Sequence, residues 1–181
     1  MEAKQVTEDL SDAWARPFEA LPPVRDVVQY KGQRNFTGAW WCATTRSHVG
    51  FESWLERDHV MLLDYARAVV RIASQPFCVA VETDNGPRRH APDYFVRNAD
   101  GSATVVDIRP DELVGDDAFV FRATAQACSL VGWSYRRLGR PAPVLAENLR
   151  WLAGYRHTRC ARSDLLPRVS EMTRLPVPLG R

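Results

Sequence analysis

The stretch RRHAPDYFVRNADGSATVVDIRPDE, Arg88 to Glu112, constrains the fold more than any other part of the chain. Runs rich in β-branched and aromatic residues flank a turn-forming NADGS, so it reads as two antiparallel strands around a tight reversal. Alternation places Ala91, Asp93 and Phe95 on one face of the first strand, and Val105, Asp107 and Arg109 on one face of the second. A turn centred on Asp100 sets Asp93 opposite Asp107, with Cβ atoms about 4.5–5.5 Å apart. At that spacing two carboxylates can share a hard divalent cation. A two-residue type I′ turn at Asp100-Gly101 slips the register by one and sends the aspartates to opposite faces. Carboxylates so close need a cation, a proton or Arg109 to neutralise them, and oxygen donors favour Mg²⁺ or Mn²⁺. An Asp–Arg ion pair closing a strand end accounts for the same residues without a metal. The residues alone leave both readings open.

A chain of 181 residues suits one domain with a real core. Its 45% hydrophobic and 25% charged residues are ordinary for a soluble globular protein. The opening MEAKQVTEDLSD is charged and lacks an apolar signal region, and no run reaches the roughly 18 apolar residues of a membrane span. A cytoplasmic address without membrane contact is the expectation. Cys42, Cys78, Cys128 and Cys160 have no zinc-ligand spacing and read as free thiols. The net charge of +2 does not by itself point to nucleic acid. The basic residues are almost all arginine, since Lys4 and Lys31 are the two lysines among 24. A coding bias explains that composition, and so does arginine's fit to phosphate.

Along the chain, residues 1–23 read as an irregular arm, 24–160 as a single domain and 161–181 as a C-terminal tail whose RLPVPLGR end reads as loose. Val24 to Thr45 suggests two short strands or a hairpin, placed as an N-terminal extension. HVGFESWLERDHVMLLDYARAV reads as a helix opened near Ser47 or Gly50. Its apolar stripe is Phe51, Trp54, Leu55, Leu62 and Tyr65, with Glu52, Glu56, His59 and Leu63 on the stripe beside it. VVRIASQPFCVAVE gives two strands broken near Ser74–Pro76. DDAFVFRATAQACSLVGWSYRRLG reads as a second long helix ending at Gly139, PAPVLAE as one more strand, and ENLRWLAGYRH as a short helix. The sum is a mixed α/β layer fold.

Glu56 on a helix, Pro92-Asp93, and VVDIRP ending a strand together resemble the PD-(D/E)XK nuclease superfamily, closest to the TnsA-like transposase endonuclease subunit. The segments ESWLERDHVMLLDY, IASQPF, RRHAPDYFVR and VVDIRP, then a helix with Cys128 and Gly132-Trp133, carry the likeness over roughly Gly38 to Gly139. The resemblance implies a restriction-endonuclease-like core, with a mixed central sheet flanked by helices. It makes Glu56 the helix acid that ligates or orients metal, Asp93 the central ligand and Asp107 the next acid, with the Ile108 carbonyl as a further ligand. Arg109 stands where the family usually has lysine. Gln126 takes a position where related nucleases often place a polar helper, although a solvated glutamine fits it as well.

Such a protein cuts one DNA strand at transposon ends with Mg²⁺ (Mn²⁺ as substitute). It works in a complex with an integrase-type transposase and an ATPase regulator. About 40 residues follow Gly139, so the winged-helix domain of longer relatives is expected to be missing. Arginine keeps the charge of lysine and adds a phosphate fork, but with a pKa above about 12 it cannot act as a base. His59 and His90 are assigned no catalytic role. SYRRLGR and YRHTRCARSD can contact phosphates or remain solvated. A non-catalytic DNA-binding or assembly module on the same fold, a stand-alone restriction or repair nuclease, and a homodimer all stay open.

Overall fold

The computed structural model describes residues 6–25, 36–81 and 86–172. In chain order its helices and strands are α1 (Leu10–Ala13), β1 (Gly38–Cys42), β2 (Ser47–Phe51), α2 (Trp54–Tyr65), β3 (Val69–Ser74), β4 (Val79–Val81), β5 (Arg88–His90), β6 (Tyr94–Asn98), β7 (Ala103–Ile108), α3 (Ala118–Leu130), β8 (Ser134–Leu138), α4 (Pro143–Leu152) and α5 (Leu166–Met172). The central sheet has the order β3-β6-β7-β8. Its first two pairings are antiparallel, and β7 pairs in parallel with β8 across the α3 crossover. The chain is thus a mixed α/β protein whose mixed sheet is flanked by helices. No helix among the described residues is long and apolar enough to cross a membrane.

The sheet is covered on both faces, which is why β6 and β7 read as near-continuous apolar runs rather than alternating ones. On one face Tyr94, Val96, Val106 and Ile108 pack with Val60 of α2 and with Cys42 and Val49 of the β1–β2 hairpin. On the other, Phe95, Ala103 and Val105 meet Cys128 of α3, Trp133, and Ala13 and Phe18 from before Pro22. Phe18 sits with ring centroids 4.9 Å from Phe77, 5.7 Å from Phe95 and 5.6 Å from Trp133. The segment read as an irregular arm therefore supplies core side chains. α4 lies against α2 through Met61, Leu149 and Ala153, and Arg150 forks onto the buried Asp58.

The β6–β7 turn settles the register. Phe95 pairs with Val105 and Tyr94 with Val106, so the ladder is centred on Asp100. Gly101 has φ +84°, and the Asp100 carboxylate accepts the Ser102 N–H. Both devices suit a five-residue reversal in which a two-residue turn would have shifted every side chain by one face.

Several boundaries differ from the sequence reading. Ser47–Phe51 is a strand paired with β1, so the first helix starts at Trp54, capped by Ser53, whose Oγ accepts the Glu56 N–H at 3.2 Å. A hairpin lies at 38–51, its first strand inside the expected 24–45, of which residues 26–35 are outside the described residues. The buried positions of α2 are Asp58, His59, Val60, Met61 and Asp64, whereas Trp54 is 46% exposed. Packing against sheet, hairpin and α4 at once rotated the inner face away from the expected stripe. The second long helix stops at Leu130, and Ser134–Leu138 is a strand. PAPVLAE opens α4 instead of forming a strand. The RLPVPLGR tail lies outside the described residues.

Candidate active site

The sequence candidates meet at one end of the sheet, where β6 begins and β7 ends. A cleft of about 310 Å³ there is lined by Glu52, Glu56, Asp93, Asp107, Ile108 and Arg109, with Arg25, Arg88, Arg89 and His90 around them. Its lining combines several carboxylates with several arginines.

Glu56 enters from the first turn of α2. Its Oε2 accepts the Glu52 N–H at 2.7 Å and its Oε1 accepts the Ser53 hydroxyl at 2.8 Å. Together with the Ser53 cap this is a variant of the capping box, the Glu52 N–H taking the place of the N-cap N–H, so Glu56 already has a helix-starting role. Burial raises its pKa despite those donors. Neighbouring Glu52 is held by Arg25 at 2.7 Å, and Arg25 also donates to Gln75.

Asp93 is partly buried and accepts the Ile108 N–H through Oδ2 at 2.6 Å. Continuing the observed register places it opposite Asp107. Its pKa stands well above the usual carboxylate range, first because protein encloses it, then because Glu56, Asp107 and Glu52 are negative neighbours; the Ile108 N–H opposes the rise. No ion pair joins Asp93 to a described cation.

Asp107 is 1% exposed and is satisfied within the protein. His90 Nε2 stands 3.0 and 2.9 Å from its two oxygens, and the Tyr135 hydroxyl donates to Oδ2 at 2.7 Å. Tyr135 lies beside Val105 on the adjacent parallel strand, one same-face step from Asp107. Burial and the Asp107 charge push the Tyr135 pKa strongly upward, so it remains a donor. The same two causes push the Cys128 thiol up to about 12.

Arg109 makes no ion pair with Asp93 or Asp107. Its guanidinium pairs with Asp117 at 2.7 Å and donates to the Leu113 carbonyl, and it still lines the cleft. Gln126 is exposed on α3. His59 is buried, with its ring nitrogen donating to the Gly139 carbonyl at 2.7 Å, which makes it a packing residue.

Oxygen donors around an under-compensated carboxylate are chemically right for a hard divalent cation. The disposition is less complete: among the described residues no group of three His, Cys, Asp or Glu side chains is arranged to hold a metal ion. Asp107 is turned to His90, and Glu56 to its own helix start.

Sequence reasoning passed over His90 and left Tyr135 unnoticed. His90 reaches Asp107 across a loop, which no periodicity announces. Tyr135 becomes visible once SYRRL is recognised as a strand, and Gly132 after Leu130 was the available helix-stop signal.

The fold and cleft define a mixed α/β protein with an arginine-flanked acidic site at a sheet end. No family model matches the chain, and no curated protein matches it.

Proposed function

We propose that this chain is a metal-dependent DNA endonuclease subunit with a restriction-endonuclease-like core, of the PD-(D/E)XK, TnsA-like type. Its substrate is then a phosphodiester at transposon ends, cut within a complex that also holds an integrase-type transposase and an ATPase regulator. The observation that carries the reading is Asp93: a carboxylate raised by enclosure and by three acidic neighbours, open to a cleft flanked by arginines. Such a group needs a cation or a proton.

Asp93 and Asp107, with the Ile108 carbonyl and Glu56, would hold Mg²⁺ or Mn²⁺. When bound, the metal supplies an activated water and offsets charge on the phosphate. The protein's part is orientation and charge. Arg88 and Arg89 present forks for phosphate oxygens, and Arg109 can exchange Asp117 for a phosphate without losing its charge.

One observation favours a second reading, the non-catalytic DNA-binding or assembly module. Asp107 and Arg109 both have protein partners already. Nicking of supercoiled plasmid in Mn²⁺, together with calorimetric Mn²⁺ binding in the presence and absence of duplex DNA, separates the two. The nuclease reading expects Asp93→Ala to abolish both signals while its thermal melt stays cooperative. Wild type that neither nicks nor binds Mn²⁺ differently from Asp93→Ala would leave the module.

A further inference from the structure

We propose that His90 is a substrate-released guard on the metal position: it holds Asp107 in the free protein and lets go when DNA engages Arg88 and Arg89. The inference rests on the metal reading of the cleft and adds a regulation to it.

Three features of the molecule converge on it. First, His90 Nε2 lies nearly equidistant, 3.0 and 2.9 Å, from the two Asp107 oxygens. A cation held by Asp107 would need those oxygens, so the imidazole and the ion would compete for the carboxylate. Second, the guard is reachable: the His90 side chain is 20% exposed and lines the cleft, and its ring rests edge-on against Phe121 at 5.9 Å. Third, His90 ends β5, a three-residue strand that pairs with β4 and stands outside the main sheet. A short two-stranded ribbon is only marginally held by its own pairing.

Arg88 and Arg89 immediately precede His90 on that ribbon, are exposed, and line the same cleft. Neither enters an ion pair with a described acid, and both are exposed where a phosphate entering the cleft would pass. Asp107, by contrast, sits in the central sheet and is fixed by Tyr135. Phosphate contacts at Arg88 and Arg89 therefore act on the movable partner of the pair. A ligand shifts such an equilibrium only by binding the released form more tightly, and the coupling is reciprocal.

The test is Mn²⁺ affinity, read by loss of the free-ion electron paramagnetic resonance signal, with and without a short duplex whose own Mn²⁺ uptake is subtracted. Wild type is expected to bind at least tenfold more tightly with duplex than without. His90→Ala should bind tightly without duplex and gain less than twofold from it. Arg88→Ala/Arg89→Ala, which keeps the guard, should remain weak under both conditions. Reciprocity requires Mn²⁺ to tighten duplex binding by the same factor that the duplex tightens Mn²⁺ binding. Equal or weaker Mn²⁺ binding by a folded His90→Ala, with Asp93→Ala still abolishing it, overturns the guard and spares the metal reading. A tenfold duplex effect that survives in Arg88→Ala/Arg89→Ala overturns the coupling. Absence of Mn²⁺ binding in wild type and His90→Ala alike overturns the guard and the metal reading together.

Discussion

Asp64 and Asp93 are the same residue in two enclosed places, and their surroundings treat them in opposite ways. Asp64, 1% exposed at the end of α2, accepts the Thr44 N–H at 2.9 Å, the Ala43 N–H at 3.2 Å, the Cys42 thiol and the Arg156 guanidinium. Burial alone would raise its pKa, but these donors more than offset that, and the net shift is downward. Asp93 has one backbone donor and three acidic neighbours, and its pKa goes up. The first carboxylate ties the hairpin to helix and C-terminal segment. The second is a carboxyl group with one donor, set among other acids. A buried acid with a full set of donors reads as structure, and one with too few reads as a site.

The largest break in this comparison is Asp64→Ala. It leaves Arg156 and two backbone N–H groups without their acceptor, and loss of about 3–5 kcal/mol is expected in denaturant melts. Asp93→Asn should go the other way, raising stability at neutral pH while losing Mn²⁺ binding. The sign follows from the raised pKa. A carboxyl that holds its proton more tightly when folded costs stability above its folded pKa. That cost is relieved as pH falls towards the ordinary value near 3.8. The advantage of asparagine should therefore be largest at pH 8 and vanish towards pH 4, as melts across that range will show. Asp64 has the opposite slope: its contribution is present above the ordinary carboxylate range and fades as pH falls through its lowered pKa.

The smallest effect is expected at Arg109→Lys. The Asp117 pair is 42% exposed on the arginine side, so stability should change by less than about 0.5 kcal/mol. Plasmid nicking should stay within about tenfold of wild type if the position supplies charge alone. Complete loss would show that the guanidinium fork itself is required.

Much of the site was legible in the chain. NADGS announced the turn but left two registers open; in the structure Gly101 takes a positive φ and the Asp100 carboxylate accepts the Ser102 N–H, which fits the wider reversal. From that turn, Asp93 opposite Asp107 follows by counting. Ser53-x-x-Glu56 was a readable start for α2, and Pro143 at the first turn of α4 was another. Both were overridden in the sequence reading by stronger-looking apolar runs. SYRRL was harder, since as a parallel strand of mostly polar residues it owes its place to β7 and α3 more than to its own propensity.

The amino-acid sequence by itself determined a mixed α/β layer fold and narrowed the β6–β7 pairing to two registers, one of which sets Asp93 across from Asp107. These depend on local backbone geometry and on alternation over a few residues. Only the tertiary structure decided between those registers and which partners each acid meets. His90 and Tyr135 reach Asp107, Asp117 draws Arg109 aside, and Asp93 is left among like charges. Those outcomes depend on which distant side chains arrive within about 3 Å of a carboxylate, a distance at which hydrogen bonds and ion pairs form. Sequence spacing does not encode that distance.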